Sequence, residues 1–133
     1  MTPLLDTHAW VWWMEGNPKL GRKTVAALDG LPESERPFLC DISLWELATL
    51  LDLGRWVTRQ PFETWLAKAC HPRTLEILPI TAAVGVELTR LPSGFQRDPA
   101  DRIIVATARA LGLPLLTLDR RILASKLTKR WTP

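Results

Sequence analysis

The chain has no tyrosine, two histidines and two cysteines among its 133 residues. Cys40 and Cys70 lie far apart in apolar company, and no cysteine or histidine stands at metal-binding spacing from another. That excludes a zinc finger or a disulfide framework and predicts reduced core thiols in a cytoplasmic protein. No apolar run reaches the ~18 residues of a membrane span, and no basic segment followed by a long apolar one opens the chain. Neither a membrane anchor nor a signal peptide is therefore expected. Charge of one sign is not in large excess either. Lys and Arg number 17 against 14 Asp and Glu, a net charge of +3, with a sequence pI of about 9.2. Such a balance permits a nucleic-acid partner without requiring one. Repeats, low-complexity stretches and long linkers are absent, so residues 1–133 read as one domain, long enough for a real core. What is present is 47% apolar and 23% charged residues, as in soluble globular proteins, together with seven Trp.

Short apolar runs alternate with helical segments. Strands are expected at 4–6, 38–40, 75–79 and 113–119, with the tail 127–133 as a further edge strand. Helices are expected over 7–14, 20–28, 43–53, 61–70, 81–90 and 98–111. The alternation predicts an α/β domain with helices on both faces of a parallel sheet. Its strands are apolar without alternation, as strands covered on both faces should be. In such sheets ligands bind beyond the carboxyl ends of the strands.

That edge is where the acids fall. Asp6 ends the first strand, Glu46 lies in the first turn of the helix after the second, and Asp119 ends the fourth. Asp98 and Asp101 open the apolar helix before the fourth strand, where Asp101, Ile104, Ala108 and Leu111 share a face. Each acid also has a local structural reading. Asp6 and Asp119 suit N-caps, Ser43 with Glu46 fits a capping box, and Asp98 before Pro99 suits a cap. Together they call for more. Carboxylates about 4 Å apart repel by about 4 kcal/mol per pair at an effective dielectric near 20, and Arg102 is the one nearby cation. A divalent metal relieves this. An all-oxygen ligand set suits Mg²⁺ or Mn²⁺, and His8 and His71 are read as incidental.

Five stretches then become recognisable. They are Leu4-Leu5-Asp6-Thr7-His8-Ala9-Trp10, Ser43-Leu44-Trp45-Glu46-Leu47-Ala48, Leu53-Gly54-Arg55, the run from Asp98-Pro99-Ala100-Asp101-Arg102 through Ala108, and Leu115-Leu116-Thr117-Leu118-Asp119-Arg120. In this order they resemble the successive motifs of the PIN-domain family, and most closely those of VapC-type toxins of type II toxin–antitoxin systems. The resemblance runs from Leu4 to about Ile122. It implies a three-layer α/β/α domain with a central parallel sheet of four or five strands. It also implies a Mg²⁺- or Mn²⁺-dependent ribonuclease, dimeric and inhibited by a VapB-like antitoxin. Asp6, Glu46, Asp101 and Asp119 carry over as catalytic acids. Asp6 and Asp101 are the primary metal ligands, with Glu46, Asp119 and Asp98 in a second tier. Thr7 and Thr117 match small hydroxyl positions near the site.

RNA needs cationic contacts around such an acidic hole, and Arg102, Arg120, Arg121, Lys126, Lys129 and Arg130 are the candidates. Trp10, Trp13 and Trp45 suit core or interface packing, and an antitoxin helix is the natural occupant of any part left exposed. Two rivals are weighed. A receiver-type phosphoacceptor wants paired acids at the first strand and a lysine after a late one; here a single acid and Arg120-Arg121 stand there. A PIN-like module that binds without cutting does not need the complete acid set. Of the two acids at one helix start, Asp98→Asn should slow RNA cleavage less than Asp101→Asn. The reverse order in a cleavage assay would show that the wrong acid of the pair has been assigned.

Overall fold

Four short strands, β1 (Leu4–Leu5), β2 (Phe38–Cys40), β3 (Glu76–Leu78) and β4 (Leu115–Leu116), pair in the order β3-β2-β1-β4 in the computed structural model, which describes residues 1–133. All pairings are parallel. Leu4 and Leu5 stand opposite Phe38 and Leu39 on one side and Leu115 and Leu116 on the other. Seven α-helices connect and cover the strands: α1 (Thr7–Glu15), α2 (Arg22–Asp29), α3 (Ile42–Asp52), α4 (Phe62–Ala69), α5 (Ala82–Arg90), α6 (Pro99–Leu111) and α7 (Arg120–Ser125).

Successive strand residues point to opposite faces, and the core divides accordingly. Leu5, Leu39 and Leu116 pack with Trp10, Leu28, Leu47 and Trp65 under α1–α4. Leu4, Cys40 and Leu115 pack with Ile104, Val105, Ala108 and Ile122 under α5–α7. The result is the expected α/β/α sandwich. Helix α6 is buried from Ile104 through Ala108. It ends at Gly112, whose left-handed φ of 65° returns the amide to Ala108 O and Arg109 O. No helix is long and apolar enough to cross a membrane.

Several expectations need correction. β3 lies at the sheet edge, and its Glu76 and Ile77 are exposed, so apolarity there does not report burial on both faces. Leu20 closes a 3₁₀ turn, Pro18–Leu20, instead of opening the second helix; Gly21 at φ 90° then turns the chain into α2. Helix α3 starts one residue early, at Ile42, which puts Glu46 in its second turn and leaves the Ser43–Glu46 capping box unformed. Ser43 is instead fully buried, accepting from Thr7 Oγ1 at 2.8 Å. Leu111 is half exposed at the end of α6 and does not share the buried stripe of Ile104 and Ala108. The tail contributes a single parallel bridge between Arg130 and Leu115 in place of a strand.

The tryptophans acquire a reason. Trp10 is fully buried, donates Nε1 to Ala69 O at 3.0 Å, and meets Trp65 edge-on at 5.4 Å. Trp56 packs on Trp65 at 4.9 Å and donates to Glu15 at 3.1 Å. Large rings with one polar handle thus tie α1 to α4 on one face of a sheet too short to do so. Trp45 is the exception, at 53% exposed. Cys40 and Cys70 are unpaired, and burial pushes the Cys40 thiol up to about 11, so it is an inert core group. Trp10→Ala should lower unfolding free energy by about 3–5 kcal/mol, read from the urea midpoint; a loss below ~1 kcal/mol would show that the aromatic cluster is not structural.

Candidate active site

Parallel pairing sends the carboxyl ends of β1, β2 and β4 to one edge, and the N-termini of α1, α3 and α7 rise from it. Asp6 follows β1 directly and caps α1, its Oδ1 accepting from Ala9 N at 2.7 Å. Its Oδ2 accepts from Thr117 Oγ1, just beyond β4. That hydroxyl in turn accepts from Asp119 N at 3.0 Å, while Asp119 caps α7 by accepting from Arg121 N at 2.8 Å and Ile122 N at 3.3 Å. Asp98 caps α6, its Oδ1 accepting from Asp101 N at 3.0 Å, with Pro99 in the first turn. The three aspartate caps read from sequence are therefore real, and they do not exhaust these residues.

Asp6, Glu46, Asp98, Asp101 and Asp119 line one cavity of about 380 Å³. They arrive from four separated parts of the chain, and α6 does point its N-terminus at this edge. None has an ion-pair partner: the chain's salt bridges are Arg36–Glu76, Arg90–Glu87 and Arg109–Glu87. The electrostatic consequence is a set of reluctant carboxylates. Burial pushes Asp101 up to about 7, and Asp98, Glu46, Asp119 and Asp6 add to it in that order. Burial also raises Glu46, which the Thr7 hydroxyl partly offsets and Asp98 reinforces. Asp6 is raised by burial against the pull of Thr117 and Ala9.

The residues present fit a hard divalent cation. The donors are all oxygen, the negative charge is uncompensated, and one orienting hydroxyl already holds Asp6. No three acid, histidine or cysteine groups close into a ready-made cage. An open site of that kind matches an ion that keeps several of its waters.

The cations sort differently from expectation. Arg121 lines the acid cavity. Arg102 turns away, donating Nη1 to Gln96 O at 3.4 Å. Lys129 lines a separate cavity with Glu87 and Arg109, and Arg130 lies level with Leu115 at the start of β4, so closeness in sequence to Asp119 does not bring them to the acids. Arg120 and Lys126 are exposed. His8, read as incidental, is on the cavity wall with Trp12; its place two residues after Asp6 was the available signal. Gln96 donates Nε2 to Asp101 Oδ2 at 2.5 Å, and no motif announced it.

A three-layer domain with an acid-lined cavity at the carboxyl edge of a parallel sheet is the class this arrangement defines. The chain belongs to the PIN-domain family, whose match covers residues 4–126. It is 40% identical over 122 residues to Ribonuclease VapC22 of Mycobacterium tuberculosis, covering 91% of this chain and 89% of that protein. Among solved structures it resembles VapBC2 of Rickettsia felis, bound to a DNA fragment from its promoter, with a TM-score of 0.75 at 18% identity over 98% of each chain. A toxin–antitoxin complex from Klebsiella pneumoniae superposes with a TM-score of 0.65 at 18% identity, over 96% of this chain and 95% of that one.

A carboxyl whose folded pKa lies above its unfolded value binds more protons when folded. The stability Asp101 contributes is complete below about pH 4 and is lost as pH rises through about 7. In metal-free buffer, thermal melts should show Asp101→Asn with a shallower loss of Tm between pH 4 and 7, and a higher Tm than wild type at pH 7.5. An unchanged slope would mean that Asp101 is not under this strain.

Proposed function

We propose that residues 1–133 form a single nuclease domain that hydrolyses RNA phosphodiester bonds with Mg²⁺ or Mn²⁺, as the toxin of a VapBC-type toxin–antitoxin pair. The observation that carries this is the convergence of five carboxylates on one cavity, none of them ion-paired. The 40% identity to a protein named a ribonuclease supports it.

Asp6 and Asp101 are the primary ligands. Asp6 is held from both sides, by Ala9 N and Thr117 Oγ1, so its carboxylate needs no reorientation to receive a cation. Asp101 is oriented by Gln96. Glu46, with fewer restraints, orients water or holds the ion through water. Asp119 and Asp98 complete the acid ring. When bound, the ion supplies an acidified water and positive charge at the scissile phosphate. Arg121 meets the phosphate from the cavity wall. No lysine lines the acid cavity, so a phosphoacceptor reading lacks its cation.

The partners follow. RNA is the substrate, and a VapB-like antitoxin is the inhibitor; the solved toxin–antitoxin complex of the same fold supports this. Exposed Trp45, Leu53 and Val57, on and just beyond α3, give an antitoxin helix apolar surface to cover. A homodimer is part of the proposal, and the open β3 edge with exposed Ile77 and Ile80 supports it. The cytoplasm supplies RNA and keeps both cysteines reduced.

Asp6→Asn and Asp101→Asn should each lower RNA cleavage by about 100-fold or more, since even outer-shell changes at metal sites cost 10–100-fold. Chelation should abolish cleavage by wild type, and Mg²⁺ or Mn²⁺ should restore it. Variants that cut as fast as wild type would overturn the metal assignment.

A further inference from the structure

A second cavity, of about 610 Å³, opens beside the acid site. Its walls include Pro92, Phe95, Gln96, Ala124 and Leu127, and Arg121 lines it as well as the acid cavity. The two cavities are joined by chemistry as well as by position. Gln96 donates Nε2 to Asp101. The amide nitrogen is thereby committed, which leaves the amide oxygen as the free end. That oxygen is buried and has no hydrogen-bond partner. Arg121 forms no ion pair with any carboxylate. Its backbone is fixed by its amide on Asp119 Oδ1 at 2.8 Å, which leaves the guanidinium free to turn to either cavity.

A cavity walled by Phe95 and Leu127, with Gln96 and its buried, unsatisfied amide oxygen in the wall and a guanidinium shared with the acid site, matches an unpaired nucleobase on a strand whose phosphate lies at the acids. Splayed bases stack on aromatic and apolar walls and present N–H groups at their edges. The volume is within the range of small-ligand pockets. We propose that this cavity is a nucleobase subsite: a base next to the scissile phosphate inserts beside Phe95, gives an N–H to Gln96 Oε1 as that side chain turns its buried oxygen toward the cavity, and leaves its phosphate to Arg121. The subsite rests on the ribonuclease reading and gives that activity a place from which to select sequence. Gln96 then links the two events, because the amide that reads the base also orients Asp101.

The test uses oligoribonucleotides randomised around the cut, with Mn²⁺ and sequencing of the cleaved ends, followed by the preferred RNA with the base removed at the selected position. Wild type should select a base at one position within two nucleotides of the cut. It should cleave the intact RNA about tenfold faster than the abasic one, within what base stacking supplies. Ala124→Trp, on an exposed helical position, fills the slot and should bring that ratio to about one. Phe95→Leu keeps the wall apolar and should lower the ratio about threefold; thermal melts establish that both variants are folded. A ratio of ten retained in folded Ala124→Trp overturns the subsite, whether the slot then receives a protein segment or nothing. So does a wild type that cuts without base preference. A wild type that cuts no RNA under any divalent ion overturns the ribonuclease reading instead.

Discussion

Like-charge crowding is the constraint on which the rest of this structure depends. Five carboxylates share one cavity, and no lysine or arginine pairs with any of them. Such a cluster tends to separate, and separation is prevented by what anchors each acid. Asp6, Asp98 and Asp119 are tied to helix N-termini as caps. Helix N-termini also carry partial positive charge, which offsets part of the repulsion, as do the Thr7 and Thr117 hydroxyls on Glu46 and Asp6. The caps therefore serve twice, starting the helices and keeping the acids in place until a cation arrives.

The scaffold has to be stiff for this, and the sheet alone is not. β1 and β4 have two residues each. Rigidity comes from side chains instead. Thr117 joins Asp6 to the start of α7, and Thr7 with Ser43 locks α1 to α3. The edge-on Trp10–Trp65–Trp56 cluster holds α4 against α1. On the other face α5 and α6 pack together along a buried stripe.

Much of this was legible in sequence. The acids stood out because Asp6, Asp98, Asp101 and Asp119 lie at a strand end or a helix start, with Glu46 one turn into α3, and those positions are fixed by Gly, Pro and apolar runs. The parallel sheet followed from alternation, and α6 from Asp98-Pro99 and Gly112. What was not legible depended on side-chain competition. Ser43 and Glu46 have the spacing of a capping box, but burial of Ser43 against Thr7 diverted the hydroxyl. The apolar β3 read as covered on both sides, although an edge strand exposes the same residues. Arg102 was the nearest cation in sequence, yet a helix turns its side chain to Gln96 and leaves Arg121, on another helix, in the cavity. Gln96 had no signature because its role is defined only by what lies across from it.

Leu4 and Leu5 face opposite layers, and so do their neighbours in β2 and β4. The strands thus act as a partition between two interiors that share almost no side chains. Substitutions under α1–α4, the side of exposed Trp45, can accumulate without repacking the interior beneath α6 and α7. Recognition of an inhibitor and selection of a substrate can then drift at different rates within one small protein.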